Sequence, residues 1–138
     1  MLYITKKMVF SASHRLYNPS LSDEENFKLF DKCSNPSGHG HNYTLEVTVT
    51  GDVQEKSGYV IDMKKLKHII KNEIIDKVDH TNLNIDVDFL IGVNPTVENL
   101  VLSFWKMLEN KIPTGKLYKI RLYETDSSFV DYYGNKSI

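Results

Sequence analysis

The sequence predicts an α+β fold: an antiparallel four-stranded sheet with two helices on one of its faces. Three observations carry this expectation. Residues 42–51 alternate, with Tyr43, Leu45, Val47 and Val49 on one face and Thr44, Glu46, Thr48 and Thr50 on the other. Two later segments repeat apolar residues at helical spacing. The closing stretch, 116–134, reads as two strands around a turn-forming Thr125-Asp126-Ser127. The predicted order is strand, strand, helix, helix, strand, strand.

Each element has a local reason. Residues 2–13 alternate, placing Ile4, Met8, Phe10 and Ala12 on one parity and Thr5, Lys7, Ser11 and Ser13 on the other. Residues 15–38 are too long for a hairpin loop, and long connections in compact domains usually serve function or hold an element of their own. Ser22-Asp23-Glu24-Glu25 reads as a capping box, so a short helix through Phe27 and Phe30 is expected there. Asp62 caps a helix over about 63–77 whose stripe is Met63, Leu66, Ile70 and Ile74. Pro95 stops the chain before it from being helical, and Thr96 caps a helix carrying Val97, Leu100, Val101, Phe104, Trp105 and Leu108. Pro113 and Gly115 end it. Two helices cannot cover both faces of such a sheet. The other face and the sheet edges point to an oligomer, or to a polar solvated face.

Composition narrows the function classes. The 138 residues suit one domain spanning 1–138, and 17 basic against 18 acidic residues leave a net charge of −1. That balance argues against a nucleic-acid partner bound through a basic field. Aromatic residues at 11% and recurrent aliphatic runs exclude a disordered chain. No apolar run reaches the roughly 18 residues of a membrane span. The segment Met1 to Phe10 lacks the basic-then-apolar order of a signal peptide. A cytoplasmic protein without a membrane partner is the expectation. One cysteine excludes an internal disulfide, so one Cys and five His remain for chemistry near neutral pH.

Three of those histidines converge on paper. His39 and His41 flank Gly40, and a spacing of two puts both imidazoles on the side of Tyr43 to Val49. His14 closes the first strand on the parity of Phe10 and Ala12. If the two strands pair, the three rings meet at the rim of one sheet face. Three His with one open position is the pattern of catalytic zinc, although ligand type alone also admits Fe²⁺, Co²⁺ and Ni²⁺. The plainer alternative is two polar residues at a strand start.

Other groups have two readings each. Cys33 is either a thiolate base or nucleophile or a small buried hydrophobe, and its polar setting Lys32-Cys33-Ser34-Asn35-Pro36 weakens the latter. Asp79 can fix the tautomer of His80, but neighbours in a chain often point apart. Glu124 shares parity with Tyr118, Ile120 and Leu122, so it either anchors a guanidine-like edge such as a pterin ring, makes a salt bridge, or faces solvent. His68 is read as a solvated-face residue.

These residues lie in segments that together resemble a known family. The segments are Phe10-Ser11-Ala12-Ser13-His14-Arg15-Leu16, Cys33 to Tyr43, Val78-Asp79-His80-Thr81-Asn82-Leu83-Asn84, Pro95-Thr96-Val97-Glu98-Asn99 and Leu122-Tyr123-Glu124-Thr125-Asp126. In this order they resemble the 6-pyruvoyltetrahydropterin synthase family, which includes 6-carboxytetrahydropterin synthase. The resemblance implies the tunnelling fold, a ββααββ unit that closes into a β-barrel in trimers and stacks as a homohexamer, a dimer of trimers. It implies Zn²⁺ bound by His14, His39 and His41, with Cys33 as general base and Asp79 and His80 as a relay pair from a neighbouring subunit. Glu124 would anchor the pterin edge, and Thr96 lies where the family places further pterin contacts. The implied reaction takes the small-molecule substrate 7,8-dihydroneopterin triphosphate to 6-pyruvoyltetrahydropterin by triphosphate elimination.

The Cys33-to-His39 spacing and the segment Leu21 to Asn26 are similar to the pyruvoyl branch, which the reading favours. Asn94-Pro95-Thr96 and Val97 are similar to the carboxy branch, which releases acetaldehyde in the queuosine pathway. A non-catalytic pterin- or purine-binding module is the alternative of another class.

Overall fold

A computed structural model describes residues 1–135. Strand β1 (Leu2–His14) leads through α1 (Asp23–Phe30) and a 3₁₀ turn (Asp31–Ser34) into β2 (His39–Gly51). Helix α2 (Met63–Ile70) runs through a π-helical turn (Lys71–Ile75) into α3 (Asp76–Val78). Then come β3 (Thr81–Asn82), a 3₁₀ turn (Asp88–Leu90), α4 (Val97–Leu108), β4 (Lys116–Thr125) and β5 (Ser128–Tyr132).

The sheet is wider than expected. It has five strands in the order β3-β1-β2-β4-β5, and the two-residue β3 lies parallel to β1. The expected four-stranded antiparallel sheet is therefore the antiparallel part of a mixed sheet. The two expected helices, α2–α3 and α4, do pack against the strands. A further helix, α1, sits in the connection between β1 and β2. Its capping box forms as read, with Ser22 Oγ accepting from Glu25 N–H and Glu25 accepting from Ser22 N–H.

The alternation of β1 and β2 sorts the side chains, with outer-face Thr48 also buried. Tyr43, Leu45, Val47 and Val49 are fully buried, and Phe10 and Ala12 join them from β1. Leu66, Ile70 and Ile74 cover this face from the helix, and Leu100, Phe104 and Leu108 from α4. Met63, expected in the stripe, is exposed, because α2 has only just begun there. On the outer face Thr5 and Thr48 share a hydroxyl hydrogen bond of 2.8 Å.

One register feature breaks simple parity. The pairing of β2 with β4 slips between Thr48 and Val49, so Val49 opposes Leu117 and not Tyr118. Leu117 packs on the core, while the Tyr118 ring meets Tyr3 on the outer face at 4.7 Å. The expected alignment of Tyr118 with Ile120 and Leu122 fails for this reason.

Candidate active site

Complete pairing of β1 with β2 builds the site. Both strands have 13 residues, and the ladder runs from Leu2↔Gly51 to His14↔His39 with Ala12 opposite His41. His14 and His39 are thus cross-strand partners, and His41 is two residues further along the same face. Gly38 makes the close approach possible. Its φ of +68° suits glycine, and a Cβ there would lie 2.8 Å from the His14 carbonyl.

The nitrogen atoms of His14, His39 and His41 lie within 4.8 Å of one another. His14 Nδ1 is 2.8 Å from the Pro95 carbonyl. A carbonyl only accepts, so Nδ1 carries the proton and Nε2 keeps its lone pair. That Nε2 faces His39 Nε2 at 3.2 Å. The Tyr43 hydroxyl lies 3.3 Å from the same Nδ1, with the two rings edge-on.

Burial holds His14 below the ordinary imidazole pKa, against the opposing pull of the Pro95 carbonyl, and the neighbouring histidines add to the lowering. Burial also lowers His41, with Glu124 pulling the other way. Neutral rings are the ones that coordinate metals. His41 Nε2 is buried with no hydrogen-bond partner. An orphaned ring nitrogen beside two convergent ones is costly without a cation and useful with one. The three-histidine group can hold a metal ion, and its donors suit Zn²⁺.

Glu124 reaches this cluster through a second irregularity. The β4–β5 register slips between Tyr123 and Thr125, leaving Glu124 as the extra residue. Its Oε1 lies 3.9 Å from His41 Nε2, with the side chain 30% exposed. A carboxylate is thus present at the mouth of the histidine cluster.

The remaining expected residues fall around it. Thr96 is the N-cap of α4, its hydroxyl accepting from Asn99 N–H at 3.1 Å. Cys33 is half-buried in the 3₁₀ turn and is not among the clustered nitrogen ligands. The turn is tied to the chain just past His14: Leu16 N–H donates to the Cys33 carbonyl at 2.8 Å, and Arg15 Nε donates to the Ser34 carbonyl at 2.7 Å.

Asp79 and His80 do meet, contrary to the bland reading of neighbours pointing apart. His80 Nδ1 is 3.0 Å from Asp79 Oδ1, which also accepts from Ser11 N–H at 2.9 Å. The Ser11 N–H, followed by His80, holds the Asp79 carboxyl below the usual carboxylate pKa. His80 has a left-handed φ of 60°, uncommon outside glycine, and its side chain is 82% exposed. His80 and His41 line one open groove with Ser11 and Asn42, and among the described residues the His80 imidazole pairs with Asp79 and not with the histidine cluster. His68 is exposed, and its Nε2 lies 2.9 Å from Asn72 Nδ2 in the π-helical turn that follows α2.

Sequence reasoning missed two contributors, the Tyr43 hydroxyl and the Pro95 carbonyl. Alternation marks Tyr43 as core, and nothing in a linear chain aims a carbonyl at a ring 81 residues away.

Fold and site together define a small α+β protein with a three-histidine group able to hold a metal ion at the end of a strand pair, flanked by a carboxylate. Residues 3–135 match the family described as 6-pyruvoyl tetrahydropterin synthase. The chain is 46% identical over 131 residues to the human 6-pyruvoyl tetrahydrobiopterin synthase, covering 95% of this chain and 90% of that protein. A solved structure of the Caenorhabditis elegans 6-pyruvoyl tetrahydropterin synthase superposes with a TM-score of 0.88 at 39% identity, covering 98% of both chains. A 6-carboxy-5,6,7,8-tetrahydropterin synthase of Aquifex aeolicus is only 28% identical, over 94% of this chain and 96% of that protein. The chain belongs to the 6-pyruvoyl tetrahydropterin synthase family, on its pyruvoyl side, and is a lyase of that family.

Proposed function

We propose that this enzyme converts 7,8-dihydroneopterin triphosphate to 6-pyruvoyltetrahydropterin with elimination of triphosphate, using Zn²⁺ held by His14, His39 and His41. The observation that carries the reading is the convergence of the three imidazoles with Glu124 Oε1 3.9 Å from His41. A bound Zn²⁺ supplies Lewis-acid polarisation of oxygen atoms on the substrate side chain. The protein's own groups do the rest. Glu124 accepts paired hydrogen bonds from the amino-pyrimidine edge of the pterin and fixes its orientation. Thr96, the N-cap of α4 and the residue after Pro95, makes a further contact to the pterin in this reading. The Cys33 thiolate removes a proton from a side-chain carbon, and His80, oriented by Asp79, exchanges protons as hydroxyls become ketones. Electrons move only within the substrate, so no external oxidant or reductant takes part.

Two features support action across copies of the chain. The imidazole of His80 is 82% exposed, and its side-chain partner among the described residues is Asp79. Tyr3, Val9 and Phe129 leave apolar surface exposed on the strands. We therefore propose a homohexamer, a dimer of trimers built on continuous barrels, in which the Asp79–His80 pair of one copy serves the cluster of another. The proposed unit is one domain over 1–138, of which 136–138 lie outside the described residues, and its proposed setting is the cytoplasm.

Pro95 and Val97 are the residues that resemble the carboxy branch. Pro95 has a job that does not depend on the product, since its carbonyl orients His14. Mass spectrometry of the products from 7,8-dihydroneopterin triphosphate tests the reading. The expected products are 6-pyruvoyltetrahydropterin and triphosphate; acetaldehyde with a carboxypterin would move the chain to the other branch, and tightly bound, unchanged substrate would make it a binding module.

A further inference from the structure

A cleft of about 520 Å³ opens beside the histidine cluster. Among its lining residues, Arg15 follows His14, Gly38 precedes His39, and Asn94 precedes Pro95, the acceptor for His14. Consecutive Cα atoms are 3.8 Å apart, so the cleft adjoins the proposed metal shell directly.

Its polar side chains are those of Arg15, Tyr17 and four asparagines, Asn18, Asn82, Asn84 and Asn94. Arg15 is the only charged residue lining it, and no carboxylate does. The guanidinium is braced: Nε donates to the Ser34 carbonyl at 2.7 Å, and the group stacks 3.9 Å over the Tyr17 ring. The Arg15 backbone is clipped on both sides by Asn84, which accepts from its N–H and donates to its carbonyl. Nη1 and Nη2 of Arg15 have no partner among the described residues.

The asparagines follow the same logic. Asn18 Oδ1 accepts from Ser20 N–H at 3.0 Å, Asn82 Oδ1 from Asn84 N–H at 2.9 Å, and Asn94 Oδ1 from Tyr17 N–H at 3.1 Å. A backbone N–H can only donate, so each carboxamide has its oxygen occupied. The Nδ2 donors of all three are left without a partner among the described residues. A concave site with one braced guanidinium, free amide donors and no acid is chemically complementary to a polyanion.

We propose that this cleft binds the oligophosphate tail of the substrate, with Arg15 as its binding residue. The proposal deepens the pterin-triphosphate reading and rests on it for the identity of the anion. The arrangement places the leaving group beside the histidine cluster, where a rigid fork can hold it while the pterin edge is fixed at Glu124. Charge-assisted hydrogen bonds from one guanidinium correspond to about a tenfold or greater effect on anion affinity.

The test uses inorganic tripolyphosphate on the full-length, metal-loaded protein. Arg15 and Arg121 are the only arginines, and Arg121 is already engaged with Asp131 at 2.7 and 2.9 Å. Arginine modification by phenylglyoxal, mapped by mass spectrometry, should slow at Arg15 when tripolyphosphate is added and stay unchanged at Arg121. In calorimetry, Arg15→Gln should weaken tripolyphosphate binding about tenfold or more while the metal content holds. The wild-type protection measurement stands even if that variant fails to fold. Equal modification of Arg15 with and without tripolyphosphate, or equal binding by a folded Arg15→Gln, overturns the proposal. Because no pterin is present in these experiments, loss of protection and failure of the product assay remain separate results.

Discussion

His14 Nδ1 donates to the carbonyl of Pro95 at 2.8 Å, across 81 residues of sequence. The bond ties the last residue of β1 to the residue before the cap of α4, and it sets the tautomer that leaves His14 Nε2 free among His39 and His41. The geometry of the three-histidine group is therefore a property of the packed fold as well as of the three side chains.

Gly38→Ala tests the strand-end packing. Its new Cβ would lie 2.8 Å from the His14 carbonyl, at a φ of +68°. The expected cost is about 1–3 kcal/mol of stability together with weakened metal retention. Thermal unfolding and metal analysis of the variant check both. An unchanged melting temperature would show that the backbone there relaxes freely.

Cys33→Ala separates proton abstraction from metal binding. Cys33 lies outside the clustered nitrogen donors, so the variant should keep its metal. Turnover should drop about 10²–10⁴-fold if the thiolate is the base. Undiminished turnover removes Cys33 from that role.

Glu124→Gln should leave metal content intact, because Glu124 is not one of the three clustered ligands. It should weaken pterin binding by about 10–100-fold, since a neutral amide cannot pair as a charged acceptor does. The effect belongs in binding of the unphosphorylated pterin as well as of the substrate, which calorimetry can compare.

The pair Arg121–Asp131 predicts an acid dependence of stability. The Arg121 guanidinium holds the Asp131 carboxyl below its ordinary value of 3.8. A depressed folded-state pKa contributes stability above the unfolded value, and that contribution disappears as pH falls through the folded one. Wild type should therefore lose more stability than Asp131→Asn on acidification below about pH 4. The pair is partly exposed, so the difference is about 1 kcal/mol. Parallel melting curves from pH 7 down to pH 3 for the two proteins would refute the assignment.

Much of this architecture was legible in the chain because alternation and helical spacing record which face is buried. Tyr43, Leu45, Val47 and Val49, with Leu100, Val101, Phe104 and Leu108, went to the core as their periodicity demanded. The convergence of His14, His39 and His41 needed only parity and one antiparallel pairing. What stayed hidden had no periodic trace. A two-residue strand such as Thr81–Asn82 is too short to alternate. The register slips beside Tyr118 and at Glu124 depend on the partner strands; one turned Tyr118 outward and the other left Glu124 unpaired at the site. The Pro95 carbonyl and the donor-lined cleft at Arg15 arise from contacts between distant segments, which local pattern does not encode.

Metal analysis tests the central claim most directly. The purified protein should carry about one zinc per chain, and His39→Ala should lose it while remaining folded. A metal-free protein that turns over 7,8-dihydroneopterin triphosphate at the full rate, or a His39→Ala variant that retains stoichiometric zinc, would contradict the account.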